Sequence, residues 1–289
     1  MKKYKAIFFD WDGTAVENRI SPADDVAKIM AKLLDRGIYL FIISGTTYKN
    51  LAGGRLHEHF TVGQRRYLYL GLARGAYNYG FDENGGLAEI TDSDIGKEKL
   101  LKIHDVSYAI HRHLLENYSY VTDIIFDRPN YCKIDIMNGS SRQNSLYLSG
   151  NEIEDVKAAL ERSGYRAGLA GLMELAAGIG RTYGIEIKPT CDAKYLEVGV
   201  SNKSDNVNAF MTRVLFPAGI GAEECAFWGD EFLELDGGIW GSDSFMITPL
   251  TSQGDFFDVG MINGKRPENV THVQGSTARF LEFIAQQAL

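Results

Sequence analysis

Asp10 and Asp12 stand one residue apart directly behind the apolar run Ala6-Ile7-Phe8-Phe9, and Gly13-Thr14 follow at once. Two carboxylates so close repel each other unless a cation or a shared proton intervenes, so the pair points to a divalent metal site. Three other places carry polar groups beside apolar runs or at a helix start: Ser44-Gly45-Thr46, Lys203, and Gly229-Asp230-Glu231 with Glu234. Together they supply a nucleophile, a second carboxylate, a hydroxyl, a cation and a cluster of metal-binding acids, the equipment of phosphoryl transfer. Taken singly, Asp10 and Asp12 could be a solvated turn, Ser44 a helix cap and Lys203 a surface lysine. The set needs a scaffold that gathers points far apart in sequence, and the edge of a parallel sheet does this.

The elements needed for such an edge are legible. Residues 6 to 9 are all apolar and read as a strand buried on both faces. Ser21-Pro22 predicts a helix start, Val26, Ile29, Met30, Leu33 and Leu34 form its apolar stripe, and Gly37 stops it. Tyr39 to Ile43 is a second buried strand, so the first three elements make a βαβ unit. A helix is expected over 47 to 59, a third strand over 67 to 72 leading into Ala73-Arg74-Gly75-Ala76, and a hairpin over 77 to 86.

From 83 to 194 the texture changes. A long helix carries Ile103, Val106, Ile110 and Leu114, and a shorter one carries Ile153, Val156 and Leu160. Cys132, Ile134 and Ile136 alternate with Lys133 and Asp135, which predicts a sheet with one wet face, antiparallel and belonging to a separate α+β unit. Strand-like runs also occur over 185 to 188 and 195 to 200. The βα rhythm then returns, with Ser204 capping a helix striped by Val207, Phe210, Met211, Val214 and Leu215. A short strand over 225 to 228, a last strand over 245 to 247 and a closing helix over 276 to 287 complete the chain. The expected fold is α/β: a doubly wound, mostly parallel sheet formed by 1–82 and 195–289, with an inserted α+β cap over 83–194.

The four polar stations, in this order, resemble the four motifs of the haloacid dehalogenase superfamily: DxDGT at 10 to 14, a strand ending in Ser44, Lys203, and Gly-Asp with an acid four residues on. An α/β insertion between the second and third motifs resembles the Cof-type sugar-phosphatase branch, with its phosphomannomutase-like and sucrose-phosphatase-like relatives. The chain departs from that branch at Arg74-Gly75-Ala76, where Asn-Gly-Ala is usual, and at Gly229 to Glu234, where Leu233 replaces an Asn. The resemblance implies that Asp10 attacks phosphorus and that Asp12 serves as acid and then base. It further implies Mg²⁺ held by Asp10, the Asp12 carbonyl and Asp230, with Glu231 or Glu234 orienting its waters. Ser44, Gly45 and Lys203 would hold the transferred oxygens. Arg74 stands at the third strand's outlet, either gripping substrate or pairing with local acids.

Composition narrows the partners. A net charge of -8 on 289 residues argues against nucleic acid and membrane surfaces. Cys132, Cys191 and Cys225 form no CxxC pair, which suits a reducing cytoplasm with all three as core thiols. The N-terminal apolar run is too short for a signal peptide and no stretch approaches a membrane span. Gly178-Ile179-Gly180 with Gly184 imitates a dinucleotide fingerprint at the wrong spacing and reads as a loop. His57 with His59, and His111 with His113, lie two apart and would diverge on a helix. The expectation is therefore a Mg²⁺-dependent phosphatase acting on a small phosphorylated metabolite, a sugar phosphate first. A sugar phosphomutase and a non-catalytic phosphosugar-binding protein are the alternatives.

Overall fold

A computed structural model describes residues 2–18, 20–91, 95–138, 152–192 and 194–289. The first strands are β1 (Ala6–Phe9), β2 (Tyr39–Ile43), β3 (Leu68–Leu72), β4 (Tyr77–Phe81) and β5 (Leu87–Glu89). Helices α1 (Asp24–Asp35) and α2 (Val62–Arg65) lie between them. The middle of the chain holds α3 (Gly96–Tyr118), β6 (Asp123–Ile125), β7 (Tyr131–Asp135), α4 (Glu152–Arg162), α5 (Gly168–Thr182), β8 (Thr190–Cys191) and β9 (Tyr195–Gly199). The chain closes with α6 (Lys203–Phe210), β10 (Cys225–Gly229), the small hairpin β11 (Glu234–Asp236) and β12 (Ile239–Trp240), β13 (Asp255–Asp258), β14 (Val270–His272) and α7 (Ser276–Gln287).

The main sheet has eight strands in the order β14-β13-β10-β1-β2-β3-β4-β5. Six of them, from β14 through β3, run parallel, and β4 and β5 add an antiparallel edge. The expected doubly wound α/β class is therefore what the chain adopts. β1 is central: Phe9 pairs with Ile42 of β2 on one side and Trp228 of β10 on the other. Every side chain of β1 is buried. Ile7 and Phe9 join a core with Met30, Leu33, Leu34 and Phe280, while Ala6 and Phe8 join one with Val207, Phe210 and Phe256 on the opposite face. A strand apolar on both faces is what a sheet covered by helices on both sides requires. The chain winds outward from β1 to β2 and β3, then returns to β10 and β13 on the other flank. The crevice beyond β1 and β10 is thus the switch point where open α/β sheets take ligands.

A second sheet, β6-β7-β9-β8, is wholly antiparallel. Cys132, Ile134, Leu196 and Val198 face a core shared with Ile103, Val106 and Ile110 of α3 and Leu169, Leu172 and Ala176 of α5. Lys133, Tyr195 and Glu197 alternate with them and line a cavity on the other face.

β5 belongs to the main sheet and β9 to the second. Several local expectations are corrected. The sequence 178–184 is not a loop; it falls largely in α5, where Gly180 lets Ile187 come so near that a Cβ would meet it at 2.5 Å. The run 47–59 forms three 3₁₀ turns rather than one helix, because Gly53 and Gly54 take left-handed φ of 66° and 79°. Ala23 precedes α1 in place of Ser21, and Asn202 caps α6 in place of Ser204. Residues 245–247 form no strand: Ser242–Met246 is a 3₁₀ turn, and β13 is the neighbour of β10.

Candidate active site

Asp10 leaves β1 with its amide donating to the Trp228 carbonyl at 2.9 Å, so the first carboxylate is registered against β10. Gly13 carries φ of 88°, and a Cβ there would lie 2.3 Å from Asp230 Oδ2. Glycine in the DxDGT loop is thus what lets the acid after β10 approach the acids after β1. Thr14 Oγ1 donates to Asp230 Oδ1 at 3.3 Å and ties the two loops together.

Lys203, the first residue of α6, reaches Asp10 Oδ1 at 2.7 Å across 193 positions of sequence. Its ammonium also donates to Asp243 Oδ1 at 2.7 Å. Asn202 caps α6 by accepting from Ser204 N, while Asp205 accepts from Asn202 N, so the start of this helix is rigid. Ser44 follows β2, is buried, and accepts from the Thr46 amide at 3.3 Å. Asp10, Asp12, Ser44, Gly45, Arg74, Lys203 and Glu231 all line one cavity of about 820 Å³ beneath the second sheet. Asp230 stands behind it, beside Asp10 and Asp243, and borders a smaller cavity of about 350 Å³.

Two residues fall elsewhere than the motif alignment suggests. Glu234 is not in the acid cluster: it begins the β11–β12 hairpin, accepts from Gly238 N at 2.7 Å and pairs with Lys265 at 3.2 Å. Those contacts, the Gly238 amide first, hold its carboxyl below the usual range. The next residue, Leu235, is buried in the core of the second unit, so this hairpin is drawn away from the site by packing. Asp243 takes the place in its stead. It is wholly buried, and its Oδ2 accepts from the amides of Asp230 and Glu231 at 2.9 and 2.8 Å. The available signal was a lone acid between Ser242 and Ser244 in the otherwise apolar stretch from Ile239 to Met246, since a buried charge requires partners.

Electrostatics follow from crowding acids out of water. Burial pushes the Asp10 carboxyl up to about 8 against the pull of Lys203, with Asp243 and Asp12 adding to the rise. Burial and then Glu231 push Asp230 well up. Burial and Asp243 raise Glu231 to about 7. Burial opposes the charge on Lys203, but Asp10 and Asp243 outweigh it and hold the ammonium protonated above its ordinary range. Carboxylate oxygens of Asp10, Asp230 and Asp243 lie within 4.8 Å of one another. An all-oxygen, acid-rich donor set with one lysine for several carboxylates fits a hard divalent cation.

No family model matches the chain, and no curated protein does. Solved structures do. The N-terminally truncated IMP-nucleotidase of Plasmodium falciparum superposes with a TM-score of 0.59 at 12% identity, covering 99% of this chain and 70% of that one. The sucrose-phosphatase of Synechocystis sp. PCC6803, solved with sucrose and phosphate, gives 0.57 at 14% identity, covering 99% and 98%. Over 99% of its own length the chain shares the fold of these two phosphatases.

Proposed function

We propose that this protein is a haloacid dehalogenase-type phosphatase, of the Cof-like branch, that hydrolyses a small phosphomonoester by way of an aspartyl phosphate. The observation that carries it is the meeting of Lys203 with Asp10, beside Asp230 and Asp243, at the carboxyl edge of the sheet. Asp10 attacks phosphorus while Asp12 gives its proton to the departing oxygen, so the alcohol leaves neutral and the phosphoryl group rests on Asp10. Water then attacks the same phosphorus as Asp12 takes back a proton, which releases phosphate and restores both acids. Ser44, Gly45 and Lys203 hold the phosphoryl oxygens. Asp10, the Asp12 carbonyl and Asp230 would hold Mg²⁺, with Asp243 and Glu231 behind, and the ion would supply neutralisation of charge on the phosphoryl group.

The substrate is a small phosphorylated metabolite, with sugar phosphates first. A roofed cavity of about 820 Å³ with carboxylates, lysines and tyrosines on its ceiling suits a polyhydroxylated leaving group and excludes polymers. The sucrose-phosphatase likeness favours the same class. Three buried free thiols suit the cytoplasm, and no helix among the described residues is long and apolar enough to cross a membrane. Release of phosphate from p-nitrophenyl phosphate with Mg²⁺, lost in Asp10→Asn, tests the reading. Steady phosphate release without a sugar bisphosphate separates it from a phosphomutase, and absence of any release would leave a binding protein.

A further inference from the structure

Arg74 departs from the expected motif, and its surroundings set it apart from the phosphate-holding groups. It follows β3 in a run of three left-handed residues: Ala73 at 50°, Arg74 at 53° and Gly75 at 93°. Two non-glycine residues in that region are held there only where the surroundings over-determine them. Gly75 seats the run against α6, its amide donating to Asn206 Oδ1 at 2.7 Å, and a Cβ there would strike the Asn202 carbonyl at 2.3 Å. The Arg74 side chain then passes Gly45, whose missing Cβ would lie 3.5 Å from Arg74 Cγ, and enters the second unit.

There the guanidinium is only partly used. Nε pairs with Glu197 Oε2 at 2.8 Å, Nη2 donates to Thr190 Oγ1, and Cζ lies 4.8 Å from the Tyr131 ring centre. Nη1 has no hydrogen-bond partner among the described residues, although Arg74 is only 4% exposed. A buried guanidinium donor without an acceptor is costly, so the site is built for an acceptor the protein does not provide. Glu197 is shared between Arg74 and Lys133, the latter at 3.4 Å. Around them, Asp127 pairs with Arg128 at 2.7 Å and Asp135 with Lys194 at 3.6 Å, while Asp192 also acts on Lys133.

We infer that the Nη1–Nη2 edge of Arg74, a residue lining the cavity, receives an oxyanion on the leaving group, so that the substrate is a phosphomonoester bearing a second negative group, a carboxylate in the simplest case. The inference deepens the phosphatase reading and rests on it for the position of the phosphoryl end. A planar guanidinium presents two parallel donors matched to a carboxylate, which a sugar hydroxyl cannot use equally. Thr190, Glu197 and Tyr131 act as positioning residues that fix the plane.

The test is calorimetry on Asp10→Asn protein with Mg²⁺ present, comparing 3-phosphoglycerate with glycerol 3-phosphate, which differ in the carboxylate. With Arg74 intact the carboxylate ester binds about tenfold tighter, the worth of one charged hydrogen-bonded pair. In Arg74→Lys, which keeps the charge, and in Arg74→Ala, checked for folding by its melting transition, the ratio falls to within about threefold. Equal affinities with Arg74 intact, a ratio unmoved by either variant, or no binding of either ester overturns the inference and leaves Arg74 a strut between the two units. Phosphate release from phenyl phosphate by the wild type is measured separately. Its absence would overturn hydrolysis while the carboxylate preference, if present, would still uphold the anion site.

Discussion

The two sheets reach the same cavity by different means. The main sheet contributes residues just beyond its strand ends: Asp10 after β1, Ser44 after β2, Arg74 after β3 and Glu231 after β10. The second sheet contributes the face of its strands, with Lys133, Tyr195 and Glu197 turned toward the cavity while Ile134, Leu196 and Val198 pack on α3 and α5. Parallel strands buried on both faces have no surface to offer, so their chemistry collects at one edge, where all the chain exits coincide. An antiparallel sheet with one covered face offers an array whose members can change without disturbing the core. The edge is therefore suited to invariable steps of reaction, and the face to recognition.

Substitutions can sharpen or break this division. The largest effect belongs at the edge: Asp10→Asn should lower the rate of phosphate release by about 10⁴-fold or more with the melting temperature retained, because Asp10 is the proposed acceptor of the phosphoryl group. Lys203→Met should come next, at about 10²- to 10³-fold in kcat, as the loss of a preorganised charge. Asp243→Asn tests the residue that the motif pattern did not disclose. It should cost about tenfold to a hundredfold and raise the Mg²⁺ concentration for half-maximal rate, since Asp243 orients Lys203 and the Asp230 loop. Glu234→Gln should change the rate less than about twofold, because that carboxylate serves the hairpin. Were Glu234→Gln the more damaging of the two, the assignment of the acid cluster would be wrong.

A further prediction concerns stability. The Asp10 and Glu231 carboxyls stand at about 8 and about 7 in the folded chain, above their ordinary values of 3.8 and 4.5. The native state then binds more protons than the unfolded state between roughly pH 4 and pH 8, so the stability of the metal-free protein falls as pH rises through that window. Mg²⁺ favours the ionised acids, and its stabilising effect should be larger at pH 8 than at pH 6. Melting curves at the two pH values, with Mg²⁺ and with chelator, check the sign; an equal or opposite difference would contradict it.

Local pattern was sufficient where burial is uniform. Four apolar residues before Asp10 identify the central strand, and the alternation through Cys132, Lys133 and Ile134 identifies a sheet with one open face. It failed where packing outweighs local preference. Gly178 and Gly180 look like loop residues but lie in a helix that needs a close approach by Ile187. Phe245 to Ile247 look like a strand, yet Asp243 bonds to the amides of Asp230 and Glu231 and the segment adopts a 3₁₀ turn. Glu234 has the spacing of a metal-site acid, but Leu235 beside it is claimed by the other unit's core.

The amino-acid sequence by itself determined the kind of sheet, the order of its polar stations and the class of chemistry they could perform, because apolar periodicity and residue type are local properties. Only the tertiary structure decided that Asp243 stands in the cluster and Glu234 outside it, and that Arg74 spans from the main sheet to Glu197 with Nη1 unmet among the described residues. Those outcomes depend on which segments compete for the same buried space and on charges brought within a few ångströms across nearly the whole chain, and neither is encoded in any short stretch of residues.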